Sequence, residues 1–353
     1  MFTESAARKL LSSPLLGALT TPHPVDRYLE LVRPSFSLSE VRAEVTAVRR
    51  QPGPSVTLTV RPNSNWRGFR AGQYVQVTVE IDGVRHKRCY SPACSARSSD
   101  GLLELTIRAH PEGTVSNFLN DRARPGLVVG LTQADGDFVL PERRPERLLL
   151  ISGGSGITPV ISMLRTLCDE GHASPITFLH YAPTAADRVY GEELQQLAER
   201  HPNIRLETVL TREGGGHFCP EHLDPEEVDA ETFVCGPPSL IDAVRAHVPD
   251  ERFHAEHFVP PAAAEVLGEA EGTVTFARSD SEAANDGAPL LDQAEAAGLT
   301  PEHGCRMGIC HTCTCRKVAG SVRNVRTGEI STGADEDIQI CISVPVGDVQ
   351  IDL

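Results

Sequence analysis

The segment His303-Gly304-Cys305-Arg306-Met307-Gly308-Ile309-Cys310-His311-Thr312-Cys313 carries three of the ten cysteines of the chain. Their spacing is Cys-x4-Cys-x2-Cys, and a fourth cysteine, Cys341, follows at a distance. A short loop with this spacing can wrap three thiolates around one side of a small metal cluster, which leaves the distant thiolate to complete the set. Gly304 and Gly308 let the backbone turn tightly and bring amide N–H groups toward the sulfurs.

This spacing predicts a plant-type [2Fe–2S] cluster with Cys305, Cys310, Cys313 and Cys341 as its ligands. Two alternatives compete with it. A structural zinc site usually pairs its cysteines as two Cys-x2-Cys knuckles, and the segment contains one such pair. A disulfide framework suits a short secreted chain, whereas this chain has 353 residues. We therefore expect an iron–sulfur domain and treat Cys315 as a bystander.

The composition bounds the class of protein. A length of 353 residues allows two or three domains, and a net charge of −15 argues against a nucleic-acid partner. No apolar run approaches the 18 residues of a membrane-spanning helix. Ten cysteines in a chain that shows no secretion signal favour a cytoplasmic location, where thiols stay reduced.

The first part of the chain predicts an appendage followed by a β domain. Residues 1–37 are interrupted by prolines, and the leucine-rich part of residues 1–36 would either associate with a membrane surface or pack on the next domain. Residues 38–143 contain short β-rich runs at 44–48, 55–60, 73–80 and 102–108, separated by turn residues. This pattern indicates an antiparallel β-barrel.

The second part predicts two further domains. Residues 144–258 alternate strands, at 147–151, 175–181, 204–211 and 231–236, with helices, at 192–200 and 239–247 among others, which indicates an α/β domain with a parallel sheet. Residues 259–270 form a Pro/Ala/Glu-rich linker. Residues 271–353 predict a small α+β domain with a strand at 272–276, a helix at 289–297 and late strands at 339–343 and 348–353.

Two motifs in the α/β domain predict a nucleotide site. Gly153-Gly154-Ser155-Gly156 follows an apolar strand and precedes a helix, so its backbone and the helix N-terminus suit a pyrophosphate. A simple strand-to-helix turn would give the same run of glycines. Cys235-Gly236-Pro237 ends another strand at the edge where parallel sheets bind ligands, although a lone cysteine there is more often part of the core.

Two motifs in the β domain suit a flavin. Arg88, Tyr90 and Ser91 follow a strand and offer a cation, a ring for stacking and a hydroxyl. Further along, the Gly113-Thr114-Val115-Ser116 segment offers a helix N-terminus for a diphosphate. Each motif alone is common by chance, but their order along the chain makes a flavin site a stronger prediction.

In this order, the motifs resemble those of the ferredoxin–NADP reductase superfamily, in the form that carries a C-terminal plant-type ferredoxin domain of β-grasp fold. The resemblance runs from about residue 38 to the end. It implies an enzyme that binds FAD rather than FMN, NADPH or NADH, and the [2Fe–2S] cluster. It also implies catalytic roles for Tyr90, Ser91 and Cys235. The residues that it implies in cofactor binding are Arg88, Tyr90, Ser91, Gly113, Val115, Ser116, Gly153, Gly154, Gly156, Thr158, Cys235, Gly236, Pro237 and Phe258.

The implied activity is transfer of electrons from NADPH through FAD and the cluster to an acceptor protein. The stretch 20–32 resembles reductases that serve membrane acyl-CoA (stearoyl-CoA) Δ9-desaturases, so we expect such a desaturase as the partner. A soluble oxygenase is the alternative acceptor, and a non-catalytic redox sensor is an alternative of another class. Arg188 and Arg212 follow the second and third parallel strands and either bind the 2′-phosphate of NADPH or remain solvated surface residues.

Overall fold

The structure is a computed structural model that describes residues 26, 28, 33–111, 113–258, 271–304, 306–308 and 311–353. These residues fall into two compact units. The first runs up to Gly236 and includes Leu240–Glu256, and the second comprises Pro237–Ser239 and the described residues from His257 to Leu353. The first unit holds the β domain and the parallel sheet, and the second holds the two described cysteines of the predicted cluster.

The predicted barrel is confirmed. Its strands are β1 (Val41–Gln51), β2 (Ser55–Pro62), β3 (Val75–Ile81), β4 (Val84–Tyr90), β5 (Leu103–Arg108) and β6 (Val128–Leu131), and helix α1 (Thr114–Arg122) precedes β6. They form an antiparallel sheet in the order β4-β3-β6-β1-β2-β5. An isolated bridge joins Pro92, two residues after the end of β4, to Leu105 of β5. Alternate residues of β3 and β5 are buried, as the period of a half-buried strand requires.

Strand β4 is a difference from the sequence-based expectation, which placed Arg88 and Tyr90 after a strand. Both residues lie within β4. Its sequence, VRHKRCY, has no apolar alternation because the strand is an exposed end of the sheet. The turn before it carries the real signal: Asp82 and Gly83 both have positive φ, as a type I′ hairpin requires.

The predicted parallel sheet is also confirmed. Its strands are β7 (Leu148–Gly153), β8 (Ile176–Ala182), β9 (Ile204–Leu210), β10 (Glu231–Cys235) and β11 (Phe253–Glu256), in the order β11-β10-β7-β8-β9. Helices α2 (Ile157–Asp169), α3 (Gly191–Arg200) and α4 (Pro238–Arg245) connect them. The strand order reverses between β7 and β10, and ligands of open parallel sheets bind at such a point. The edge strand β11 was not predicted, because three half-buried residues and one buried residue give too short a pattern.

The second unit has the expected α+β fold. Its elements are β12 (Thr273–Phe276), β13 (Ser281–Ala284), α5 (Leu290–Ala296), β14 (Thr314–Asn324), β15 (Ile330–Ser331), β16 (Glu336–Gln339) and β17 (Ser343–Ile351). The sheet order is β13-β12-β17-β14-β15, and β16 pairs with β14. Strands β12 and β17 are parallel, and the other pairs are antiparallel. This mixed sheet with one packed helix matches the β-grasp expectation.

The expected strand at 339–343 is wrong. Ile340 and Cys341 form a turn between β16 and β17. Ile340, Cys341 and Ile342 are 1%, 6% and 2% exposed, so the turn is inserted into the core and its composition resembles that of a buried strand.

Little of the appendage is described. The Asp26 carboxylate accepts hydrogen bonds from the Ser37 and Ser39 hydroxyls and from the Leu38 amide. The side chain of Asn65 donates to the Ser37 carbonyl, so this end of the appendage lies on the barrel. The leucine-rich part lies outside the described residues. No helix among the described residues is long and apolar enough to cross a membrane.

Candidate cofactor sites

The end of β4 presents an aromatic ring and an unsatisfied hydroxyl. Burial raises the pKa of Tyr90, so the phenol stays neutral. Ser91 follows at 2% exposure, and its Oγ has no hydrogen-bond partner among the described residues. A buried hydroxyl without a partner costs free energy unless a ligand supplies one. This orphaned group fits a flavin beside Tyr90. Arg88 lies two residues earlier on the same strand.

The N-terminus of α1 is shaped by one glycine. A Cβ at Gly113 would stand 2.2 Å from the Ser116 Oγ, so a side chain there would displace that hydroxyl. The Ser116 hydroxyl donates to the Gly113 carbonyl at 3.1 Å. Val115 is buried, at 1% exposure. The first N–H groups of a helix have no partner within it, so this turn suits a diphosphate through its backbone, while Ser116 holds the turn closed.

The two motifs of the parallel sheet meet at its ligand-binding edge. A Cβ on Gly156 would lie 2.2 Å from the Cys235 carbonyl oxygen. One on Gly236 would lie 3.1 Å from the Gly153 nitrogen. A Cβ on Gly154, which has a φ of +56°, would have no neighbour within 4 Å. Two glycines thus let the loops touch backbone to backbone, and the third leaves open space for a nucleotide.

Thr158 holds the glycine loop in shape. Its Oγ1 donates to the Ser155 carbonyl at 3.3 Å, and the residue is 4% exposed. Thr158 therefore acts on the loop conformation in this structure.

Cys235 lies at the centre of this edge as a neutral thiol. It is fully buried and pairs in register with Ser152 on β7 and with Glu256 on β11. Burial, with Glu256 alongside, raises the pKa of the thiol well above its ordinary value. Glu256 itself is 5% exposed. Sequence reasoning assigned no separate role to Glu256, which stood out only by its position two residues before the expected Phe258.

The structure separates the remaining expected nucleotide residues. Arg188 lines a cavity of about 730 Å³ with Arg49 and Arg50 of the barrel, whereas Arg212 is exposed beyond β9 and does not line that cavity. Pro237 and the half-buried Phe258 belong to the second unit.

The described part of the cysteine region fits a cluster. Cys313 and Cys341 are 3% and 6% exposed and share one apolar core. Cys305 and Cys310 lie outside the described residues. Gly308, with a φ of +69°, lies so close to Ile342 that a Cβ would be 2.4 Å from its Cδ1. This contact brings the cysteine loop against the turn that carries Cys341.

Two side chains fix the same loop. The carbonyl of Gly308 accepts hydrogen bonds from Gln339 Nε2 at 3.0 Å and from Arg326 Nη1 at 3.2 Å. Sequence reasoning assigned no role to either residue, because their approach to Gly308 depends on the packing of β14 and β16.

Comparisons with known proteins match each of the three domains. Residues 56–139 match the oxidoreductase FAD-binding domain, 150–246 the oxidoreductase NAD-binding domain, and 274–346 the 2Fe-2S iron-sulfur cluster binding domain. The barrel, the parallel sheet and the cysteine-bearing domain together define an NAD(P)H oxidoreductase that uses FAD and a [2Fe–2S] cluster.

Two relatives and one solved structure extend the match over most of the chain. An NADPH oxidoreductase of Mycobacterium tuberculosis is 38% identical over 355 residues, which cover 96% of this chain and 91% of the relative. The glycine betaine monooxygenase reductase subunit of Pseudomonas aeruginosa is 32% identical, covering 80% of this chain and 87% of the relative. Phthalate dioxygenase reductase has a similar fold, with a TM-score of 0.62 at 19% identity, covering 89% of this chain and 98% of that one.

The chain belongs to the family of ferredoxin-reductase-type enzymes that join FAD, NAD(P) and [2Fe–2S] domains in one polypeptide. The expected enzyme class and cofactors are thereby confirmed, and the non-catalytic alternative loses its basis.

Proposed function

We propose that this protein is the reductase component of a multicomponent oxygenase and that it takes its electrons from NADPH. The observation that carries the proposal is the match over 80% of the chain to reductase subunits of glycine betaine monooxygenase. By their name, these relatives are the reductase subunit of a monooxygenase.

The described residues supply binding and orientation. Arg88 and the first-turn N–H groups near Val115 and Ser116 would hold the flavin diphosphate, and Tyr90 and Ser91 would contact the ring. Gly153, Gly154 and Gly156 would receive the nucleotide, and the neutral Cys235 would lie beside the nicotinamide. FAD held by these residues would supply chemistry that takes up electrons in pairs and passes them on singly.

The preference for NADPH rests on Arg212 and on the relative that is named an NADPH oxidoreductase. Arg212 is exposed directly after β9, where its guanidinium is accessible to a 2′-phosphate. Arg188 lines the cavity that it shares with Arg49 and Arg50 of the barrel.

The test combines the purified protein with NADPH, oxygen and a purified terminal oxygenase of the glycine betaine class. Coupled oxygen uptake and hydroxylated product support the proposal. The Cys341→Ser variant is the control: it should still oxidise NADPH with ferricyanide, yet it should not support the oxygenase. Product formation that is equally fast with this variant would contradict the proposed route.

A membrane acyl-CoA Δ9-desaturase is a second candidate acceptor. It rests on the resemblance of the stretch 20–32 to reductases that serve such desaturases. The leucine-rich part of residues 1–36 could associate with the membrane surface. Membranes containing a desaturase, supplied with NADPH and stearoyl-CoA, decide between the acceptors. The desaturase would replace the oxygenase as the proposed acceptor if the full chain supports desaturation and no hydroxylated product forms in the oxygenase assay.

A further inference from the structure

Helix α2 carries three polar side chains on one face. Ser162, Arg165 and Thr166 are spaced i, i+3 and i+4, so they point to the same side of the helix. The helix begins at Ile157, directly after the glycine loop of the nucleotide site. These side chains therefore lie one to three turns from the position expected for the pyrophosphate.

All three side chains bind a short segment of the barrel. The Ser162 hydroxyl donates to the Cys94 carbonyl at 2.7 Å, and Arg165 Nη1 donates to the Ala93 carbonyl at 2.6 Å. The Ala96 amide donates to Thr166 Oγ1 at 2.9 Å. Residues 93–96 directly follow the Tyr90-Ser91-Pro92 sequence.

Arg165 makes the strongest of these contacts, because its side chain is largely buried and pairs with two carboxylates. It binds both oxygens of Glu193 at 2.7 Å and one oxygen of Glu104 at 2.8 Å, and its side chain is 13% exposed. Its guanidinium also lies 4.8 Å from the centre of the Tyr190 ring. Glu104 belongs to β5 of the barrel, and its carbonyl accepts the Ala93 amide at 2.8 Å. The segment is thus held from two sides.

We propose that Ser162, Arg165 and Thr166 are positioning residues for hydride transfer. They tie the segment that follows the flavin-stacking Tyr90 to the helix that follows the nucleotide loop. In this way they set the distance and angle between nicotinamide and flavin. The inference concerns flavin reduction, which precedes transfer to any acceptor, so its test does not depend on the proposed oxygenase.

The test uses the flavin-loaded full chain and two variants. Ser162→Ala/Thr166→Val removes the two hydrogen bonds to the barrel segment, and the bond from Thr166 to the Ser162 carbonyl within the helix, without removing a charge. Arg165→Lys keeps the charge and loses the fork that binds Glu193. Arg200→Gln on α3 is the control, because that side chain donates only to the Gln196 carbonyl among the contacts of the described residues.

Stopped-flow flavin reduction gives the rate at saturating NADPH and the nucleotide dissociation constant separately. We expect the saturated rate to fall roughly tenfold or more in both variants, because misplacement by a fraction of an ångström is costly in such reactions. The dissociation constant should change by less than about twofold, since no nucleotide contact is removed. The amplitude of the flavin difference spectrum on NADP⁺ binding should fall as well.

If the three side chains of α2 only stabilise the fold, the variants should show a different set of results. If both variants keep the wild-type saturated rate and difference spectrum while their thermal midpoints fall, the proposal is wrong. If Arg165→Lys does not fold, the milder double variant decides alone. A loss of rate in Arg200→Gln equal to that in the variants would also overturn the proposal.

Discussion

Gly156→Ala tests the contact between the two nucleotide loops most directly. The φ of Gly156 is −64°, which any residue adopts, so the effect of the substitution is purely steric. The new Cβ would meet the Cys235 oxygen at 2.2 Å, its carbonyl carbon at 2.5 Å and the Gly236 nitrogen at 2.9 Å. Ordinary contacts begin near 3.4 Å, so the loops must separate by about 1 Å.

The size of the effect follows from that displacement. Overpacking of this kind costs about 1–3 kcal/mol of folding free energy. For a unit of this size each kcal/mol lowers the thermal midpoint by about 2–4 °C. Misplacing reacting groups by 1 Å lowers a rate about 100-fold, which corresponds to about 2.7 kcal/mol of activation free energy. We therefore expect a modestly less stable protein with severely impaired flavin reduction.

The assay separates these two effects. Gly171→Ala is the matched control, because Gly171 has a φ of +68° and open space around its Cβ position at the end of α2. Its left-handed backbone costs roughly 1 kcal/mol without touching the nucleotide edge. Both variants should melt earlier, and only Gly156→Ala should lose flavin reduction by NADPH. Flavin reduction in Gly156→Ala within twofold of the wild-type rate would refute the reasoning.

Three further outcomes follow from the described contacts. Hydrogen bonding from Arg144, and then from Arg97, outweighs burial, which acts in the opposite direction, and lowers the pKa of Glu170 from 4.5 to about 2. The stabilisation is therefore present above pH 4.5 and is lost as pH falls toward 2. Glu170→Gln should therefore unfold more easily in urea at pH 7 and converge with the wild type near pH 2; an unchanged difference would contradict the pairing. Cys341→Ser should abolish the visible absorbance of the cluster, whereas Cys315→Ser should retain it. Loss of this absorbance in both variants would contradict the expectation that Cys315 is not needed for the cluster. Arg212→Gln should raise the KM for NADPH about tenfold through loss of a charge-assisted contact and leave the KM for NADH unchanged, and equal effects on both nucleotides would end its assignment to the 2′-phosphate.

The sequence predicted well what depends on residues close together in the chain. The Cys-x4-Cys-x2-Cys spacing indicates its cluster because the three thiolates of one loop are covalently held within reach of each other. The buried strand β7, the glycine loop and the start of α2 were likewise read from one continuous stretch. The hairpin at Asp82-Gly83 also had a local signal, although β4 itself was missed.

Local sequence patterns failed to predict secondary structure where a buried turn has the apolar composition of a strand. Ile340, Cys341 and Ile342 have the composition of a strand, yet they form a buried turn because the core accepts both arrangements of the same apolar side chains. The short edge strand β11 gave no usable pattern, since only one of its four residues is fully buried.

The sequence by itself thus determined the cofactor classes and the order of the domains, because glycine, cysteine and turn residues act through the backbone near them. Only the tertiary structure decided which distant residues meet. The contact of Gly156 with Cys235, the convergence of Gln339 and Arg326 on Gly308, and the binding of residues 93–96 by α2 all join segments far apart in the chain. Such contacts depend on how whole strands and helices pack, and no spacing along the chain records that.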